Sequence, residues 1–142
     1  MKTLEIYIDG ASKGNPGPSG IGVVICSGQE TLKNLSTYIG HATNNIAEYT
    51  ALIYALQEAL ALKAQVISIK TDSQLLARQL NKIYKVKHPN IIGLYNQALK
   101  LLAGFKEVSI KNIPREENIG ADKLATEAIK KELKKSVHRK AP

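Results

Sequence analysis

The chain of 142 residues contains no tryptophan, one phenylalanine and one cysteine. Cys26 alone can neither close an internal disulfide nor build a cysteine metal site, which excludes a stapled secreted scaffold and a zinc module and points to a reducing, cytoplasmic setting. His41, His88 and His138 are isolated, so no histidine-based metal cluster is expected and no role is assigned to them. No apolar run approaches the ~18 residues that a bilayer span requires. The opening Met1-Lys2-Thr3-Leu4-Glu5 places an acid where a signal peptide is apolar, so neither a membrane partner nor secretion is expected. Acids are also sparse where basic residues crowd. Residues 1–62 hold 3 basic and 5 acidic side chains, residues 63–142 hold 17 and 7, and the whole chain carries +8. A polyanion partner suits that asymmetry, because Lys and Arg gain affinity by releasing counterions from phosphates; a solvated helix face has the same composition.

What is present is enough for a folded domain. Hydrophobic residues make up 44% of the chain and charged residues 23%, a composition able to offset the ordering entropy of folding. At roughly 100–200 residues per domain the length fits one unit. It is assigned to residues 1–135, with 136–142 as a flexible basic tail, and the protein is expected to be a monomer.

Leu4–Asp9 alternates like a strand and ends on an acid. A turn-rich stretch from Gly10 follows, with four glycines and two prolines, and leads into strands over Gly20–Ser27 and about Thr31–Tyr38, punctuated by Gly28 and Gly40. Tyr49, Leu52, Ile53, Leu56 and Leu60 form one helical stripe between Asn45 and Leu62. The β-branched run Val66–Thr71 reads as a buried central strand closing at Asp72, and Ser73 caps a short helix to about Asn81. Helix Ile91–Ala103, strand Glu107–Ile113 and a final helix capped by Asn118 complete the order. The result is an α/β fold: a mixed five-stranded sheet with an antiparallel opening meander, parallel crossovers and helices on both faces.

Four acids share a placement. Asp9 and Asp72 stand at strand ends, and Glu48 and Asp122 in the opening turns of helices, on the sheet-facing stripe. Each alone is ordinary helix-terminus or turn chemistry. Brought to one edge, they would repel unless cations sat among them, and oxygen-only ligands select Mg²⁺ or Mn²⁺.

The stretches Tyr7-Ile8-Asp9-Gly10-Ala11-Ser12 with Gly14-Asn15-Pro16-Gly17-Pro18, Thr43-Asn44-Asn45-Ile46-Ala47-Glu48-Tyr49, Thr71-Asp72-Ser73-Gln74, and Pro114-Arg115-Glu116-Glu117-Asn118 leading to Ala121-Asp122-Lys123-Leu124-Ala125 resemble type 1 ribonuclease H. The resemblance covers about residues 4–135. It implies the RNase H-like fold and an endoribonuclease that hydrolyses the RNA strand of RNA/DNA hybrids by a two-metal-ion mechanism, leaving 5′-phosphate and 3′-hydroxyl ends. Asp9, Glu48, Asp72 and Asp122 would hold two Mg²⁺ ions, with Mn²⁺ as a substitute. Asn15, Asn44, Asn45 and Gln74 would touch the hybrid's minor groove, where polar groups read 2′-hydroxyls, and Thr43 a DNA-strand phosphate. Asn44 or Asn45 could equally cap the helix that starts there, and Asn15 could be turn chemistry.

The chain departs from the best-known bacterial pattern in two places. The loop before Asp122 has no histidine; Arg115 stands in its place, as in the subgroup with a Pro-Arg-Glu motif, and it can stabilise charge or aid product release without shuttling protons. The tryptophan-bearing basic protrusion is absent, leaving Lys82, Lys85, Lys87 and the carboxy-terminal lysines for substrate grip. Double-stranded RNA is a further possible substrate. The competing readings are another nuclease on the same fold, such as a junction resolvase, and a hybrid binder without turnover.

Overall fold

Three successive strands open the chain: β1 (Thr3–Ser12), β2 (Gly17–Ser27) and β3 (Glu30–Ala42), each antiparallel to the one before. Helix α1 (Asn44–Ala61) then returns the chain to β4 (Val66–Thr71), parallel to β1, and α2 (Gln74–Leu80) and α3 (Pro89–Leu102) lead to β5 (Glu107–Asn112), parallel to β4. A single 3₁₀ turn over Arg115–Glu117 and helix α4 (Ile119–Lys140) complete the fold. The sheet order is β3-β2-β1-β4-β5, the mixed five-stranded arrangement that the sequence pattern predicts. This is a computed structural model that describes residues 2–140, with side chains as far as residue 135. The side chains of the expected flexible tail, 136–142, lie outside the described residues; the backbone of α4 runs into that segment as helix, to Lys140. Among the described residues no helix is long and apolar enough to cross a membrane.

The strands overrun their predicted bounds for a packing reason. The β1–β2 ladder continues to Ser12↔Ser19, so residues 13–16 alone make the reversal and much of the glycine-rich stretch is strand. Gly10 and Gly22 are there because helices cross directly above them. A Cβ on Gly10 would lie 2.3 Å from the Ala47 carbonyl carbon of α1, and one on Gly22 would lie 2.0 Å from Ala121 O of α4. Gly10 pairs with Ile21 and Gly22 with Asp9, so these two glycines face opposite sides and α1 and α4 cover opposite faces of the sheet. Gly40, read from the sequence as a stop, sits inside β3 with φ +86° beside a register shift, a β-bulge that lets the strand continue to Ala42.

The core lies between the sheet and α1. Leu4, Ile6 and Ile8 of β1 and Ile21, Val23 and Ile25 of β2 are fully buried against Tyr49, Leu52 and Leu56 of α1. Each such side chain contributes about 1.5–3 kcal/mol of transfer free energy. This packing sets the positions at which β1, β4 and α1 converge near the carboxyl ends of the two strands.

Candidate active site

Asp9 lies late in β1, Asp72 follows β4 directly, Glu48 is in the first turns of α1, and Asp122 is in the first turn of α4. These are the positions at which parallel neighbours β1 and β4 deliver their ends to a common edge, a placement typical of ligand sites in α/β sheets. One carboxylate oxygen from each of Asp9, Glu48 and Asp72 lies within 4.8 Å of the others. Asp122 is outside that tight group but lines the same cleft of about 510 Å³, along with Asn44, Ser73 and Arg115. The structure thus brings the four predicted acids and the predicted arginine into one cleft.

Two of these acids are buried: Asp9 is 5% exposed and Glu48 7%. Burial pushes the Asp9 carboxyl well above the ordinary carboxylate range, and the negative charges of Glu48 and Asp72 push it in the same direction. Burial also raises Glu48, against the opposing effect of the Gly10 N–H, which donates to its Oε1 at 2.8 Å. The other oxygen of Glu48, Oε2, is buried with no partner. The ion pairs among the described residues, Lys33–Glu58 and Lys70–Glu5, lie elsewhere. Buried carboxylates this close, with an orphaned oxygen and no paired cation among the described residues, are a donor set suited to hard divalent metal ions.

Around the cleft the structure sorts the remaining predicted residues. Thr43, and neither Asn44 nor Asn45, caps α1: its hydroxyl accepts from Ile46 N at 3.2 Å. That relieves both asparagines of the capping role the sequence left open. Asn44 lines the carboxylate cleft, and its own N–H donates to Asn15 Oδ1 at 3.0 Å, fixing the β1–β2 turn against α1. Asn15, Thr43 and Asn45 line a neighbouring cavity of about 300 Å³. Gln74 is exposed at the start of α2, beyond Ser73, which caps that helix as expected.

Two features escaped sequence reasoning. His88, given no role, caps α3 by accepting from Asn90 N through Nδ1 and lines the same cavity as Thr43; the His-Pro-Asn run, with Pro89 in the first turn, was the local signal. Asn118 was expected to cap α4, yet its side chain turns the other way, donating to Ile8 O and Asp72 Oδ2. Two acceptors that converge from β1 and β4 outcompete the helix end for its amide. From Asp72 to Glu107 the chain has no acid, and Arg78, Lys82, Lys85 and Lys87 lie on the segment leading from Asp72 to this cavity.

The sequence model of a family described as reverse transcriptase-like matches residues 7–128. The chain is 43% identical over 127 residues to a ribonuclease HI of Halobacterium salinarum, an alignment covering 89% of this chain and 64% of the relative. It is 40% identical over 131 residues to a bifunctional protein of Mycobacterium tuberculosis, covering 91% of this chain and 36% of that protein. It therefore spans about a third of the length of the mycobacterial relative and under two thirds of the haloarchaeal one. A compost-derived ribonuclease H1, solved in complex with an RNA/DNA hybrid, superposes with a TM-score of 0.87 at 40% identity, covering 92% of this chain and 99% of that one.

Proposed function

Because the chain belongs to the type 1 ribonuclease H family, we propose that it is a metal-dependent endoribonuclease hydrolysing the RNA strand of RNA/DNA hybrids, with 5′-phosphate and 3′-hydroxyl products. The observation that carries the reading is the buried trio Asp9, Glu48 and Asp72, with its orphaned Glu48 Oε2. Asp9, Glu48, Asp72 and Asp122 are the groups that would hold two Mg²⁺ ions, with Mn²⁺ as a substitute. Bound there, such ions supply the positive charge that acidifies an attacking water and stabilises a leaving oxygen.

The chain's own residues divide the remaining work. Asp9, late in β1, and Asp72, directly after β4, hold their carboxylates on neighbouring parallel strands of the sheet, while Glu48 has its Oε1 fixed by the Gly10 N–H. Arg115, exposed at the cleft, offers a cation for a phosphate or for product release. With Pro114 and Glu116 it forms the Pro-Arg-Glu motif of the subgroup that the sequence resembles. Asn44 beside the acids, and Asn15, Asn45 and Gln74 beyond them, would read minor-groove 2′-hydroxyls. Thr43 would meet a phosphate of the DNA strand in the adjoining cavity. Hybrid binding draws further support from the acid-free basic segment after Asp72.

All four carboxylates come from one chain, so a monomer suffices, and one catalytic domain over residues 1–135 carries them. The lone Cys26 suits a reducing cytoplasm. The test is cleavage of end-labelled RNA in an RNA/DNA hybrid, beside matched double-stranded RNA and DNA, with Mg²⁺, Mn²⁺ or EDTA. Metal-dependent scission of the hybrid's RNA strand is expected. Hybrid binding with no scission under either metal would move the chain to a binding role.

A further inference from the structure

We propose that Asn118 is a positioning residue that orients the carboxylate of Asp72 and locks together the three elements bearing Asp9, Asp72 and Asp122, an inference that rests on the ribonuclease reading of the cleft. Asn118 is 1% exposed. Its Nδ2 donates to Ile8 O at 2.8 Å, on the residue immediately before Asp9, and to Asp72 Oδ2 at 3.2 Å. Its main-chain oxygen accepts from Asp122 N at 3.1 Å. One buried residue therefore touches β1 beside Asp9, the acid after β4 and the first turn of α4.

The chemistry of the site calls for an amide. A carboxylate's terminal torsion is broad and two-fold, so Asp72 needs an external partner to present its oxygens in one orientation. The two groups facing Asn118 are both acceptors, and one NH₂ satisfies both; an aspartate there would add a further acid against Asp72. The cost of this arrangement is visible: Asn118 Oδ1 is buried with no partner. A residue serving only as a helix cap would turn that oxygen towards the N–H groups of α4. Asn118 forgoes the cap in favour of the acid.

Asn118→Ala and Asn118→Asp, made in the full chain, test this. Folding is checked by circular dichroism and metal-free thermal unfolding, Mn²⁺ affinity by electron paramagnetic resonance titration, and kcat and KM on a hybrid. Removing a group that orients a metal ligand typically costs about 10–100-fold in affinity or activity. We expect folded variants whose kcat and Mn²⁺ affinity fall by that order while KM for the hybrid stays within about twofold. We also expect Asn118→Ala to add no further loss of Mn²⁺ affinity in an Asp72→Asn background, because its effect passes through that carboxylate. Wild-type Mn²⁺ affinity and kcat in folded Asn118→Ala, or losses that multiply in the double variant, overturn the proposal. If Asn118→Ala does not fold, Asn118→Leu, which removes both polar atoms at nearly the same size, is read by the same criteria. Asp72→Asn alone separates the two ideas: full cleavage by that variant sinks the reading of the cleft, whereas its inactivity beside a wild-type Asn118→Ala sinks only the positioning role.

Discussion

Replacing Asp9 by Asn should abolish cleavage and, without metal, make the protein more stable. Asp9 is 5% exposed, and its carboxyl is raised by burial first and by the charges of Glu48 and Asp72 next. A carboxyl raised in the folded state holds its proton there after the unfolded chain has lost it. The folded state then binds more protons than the unfolded one, and stability falls as pH rises. The penalty is absent below the unfolded carboxyl value of about 4, grows through the neutral range and levels off only above the folded value. Each pH unit in that window costs at most about 1.4 kcal/mol, so three units to neutrality bound the loss at ~4 kcal/mol. Sharing of protons with Glu48 brings the expected figure to about 2–4 kcal/mol. Asparagine fills the same space without titrating. For a chain of this length that difference corresponds to a rise in Tm of roughly 5–15 °C. Thermal unfolding of both proteins in EDTA across about pH 4–8 is the assay. The Asn variant should gain on the wild type steadily with pH, and Mg²⁺ should raise the wild-type Tm more than that of the variant. A variant less stable than wild type in EDTA near pH 8, or a gap that does not widen with pH, would refute the electrostatic account of the cluster.

Other perturbations read different parts of the structure. Gly22→Ala puts a Cβ 2.0 Å from Ala121 O and 2.8 Å from Ala125 N, forcing α4 off the sheet; about 1–3 kcal/mol of stability should be lost and kcat should fall as Asp122 moves, so unchanged Tm and kcat would contradict the close approach. Tyr49→Phe removes the buried hydroxyl that donates to Gln79 Oε1 at 2.6 Å; denaturant unfolding should show a loss of about 1–3 kcal/mol with kcat intact. Arg115→Ala should leave Tm unchanged, since the side chain is exposed, while lowering kcat by ~10-fold or more as a cation leaves the cleft; Arg115→Lys should recover much of it, and wild-type kcat in the alanine variant would remove Arg115 from the reaction.

The parts of this molecule that were legible in its sequence are those governed by local chemistry. Period-2 alternation in Leu4–Asp9 and β-branching in Val66–Thr71 marked the two strands that carry Asp9 and Asp72, and the stripe from Tyr49 to Leu60 marked the helix that carries Glu48. Acids at the ends of such elements are visible because charge is costly inside a sheet, so an acid closing a buried strand stands out. Strand ends were misjudged where glycine had a tertiary reason. Gly10 resembles a turn residue in the chain, yet it is a strand residue stripped of a side chain because α1, which comes later in the chain, passes over it.

Asn118 shows why the rest was hidden. By local rules an asparagine ahead of an apolar-striped helix is an N-cap, and the rule was right about where α4 begins. It was wrong about where the amide goes, because the two acceptors that claim it lie 110 and 46 residues away in sequence. Thr43 and the pair Asn44-Asn45 present the converse. Three polar residues in a row could all cap α1, and only the folded chain shows that Thr43 does so, which leaves Asn44 to the carboxylate cleft and Asn45 to the cavity beside it. At both helix starts several short polar groups compete for the helix end, and the folded chain decides which of them takes it. Sequence restricts the choice to a few residues; the converging strands decide it, since a buried carbonyl and a carboxylate left without a donor cost more than a helix end that main-chain bonds and water can serve.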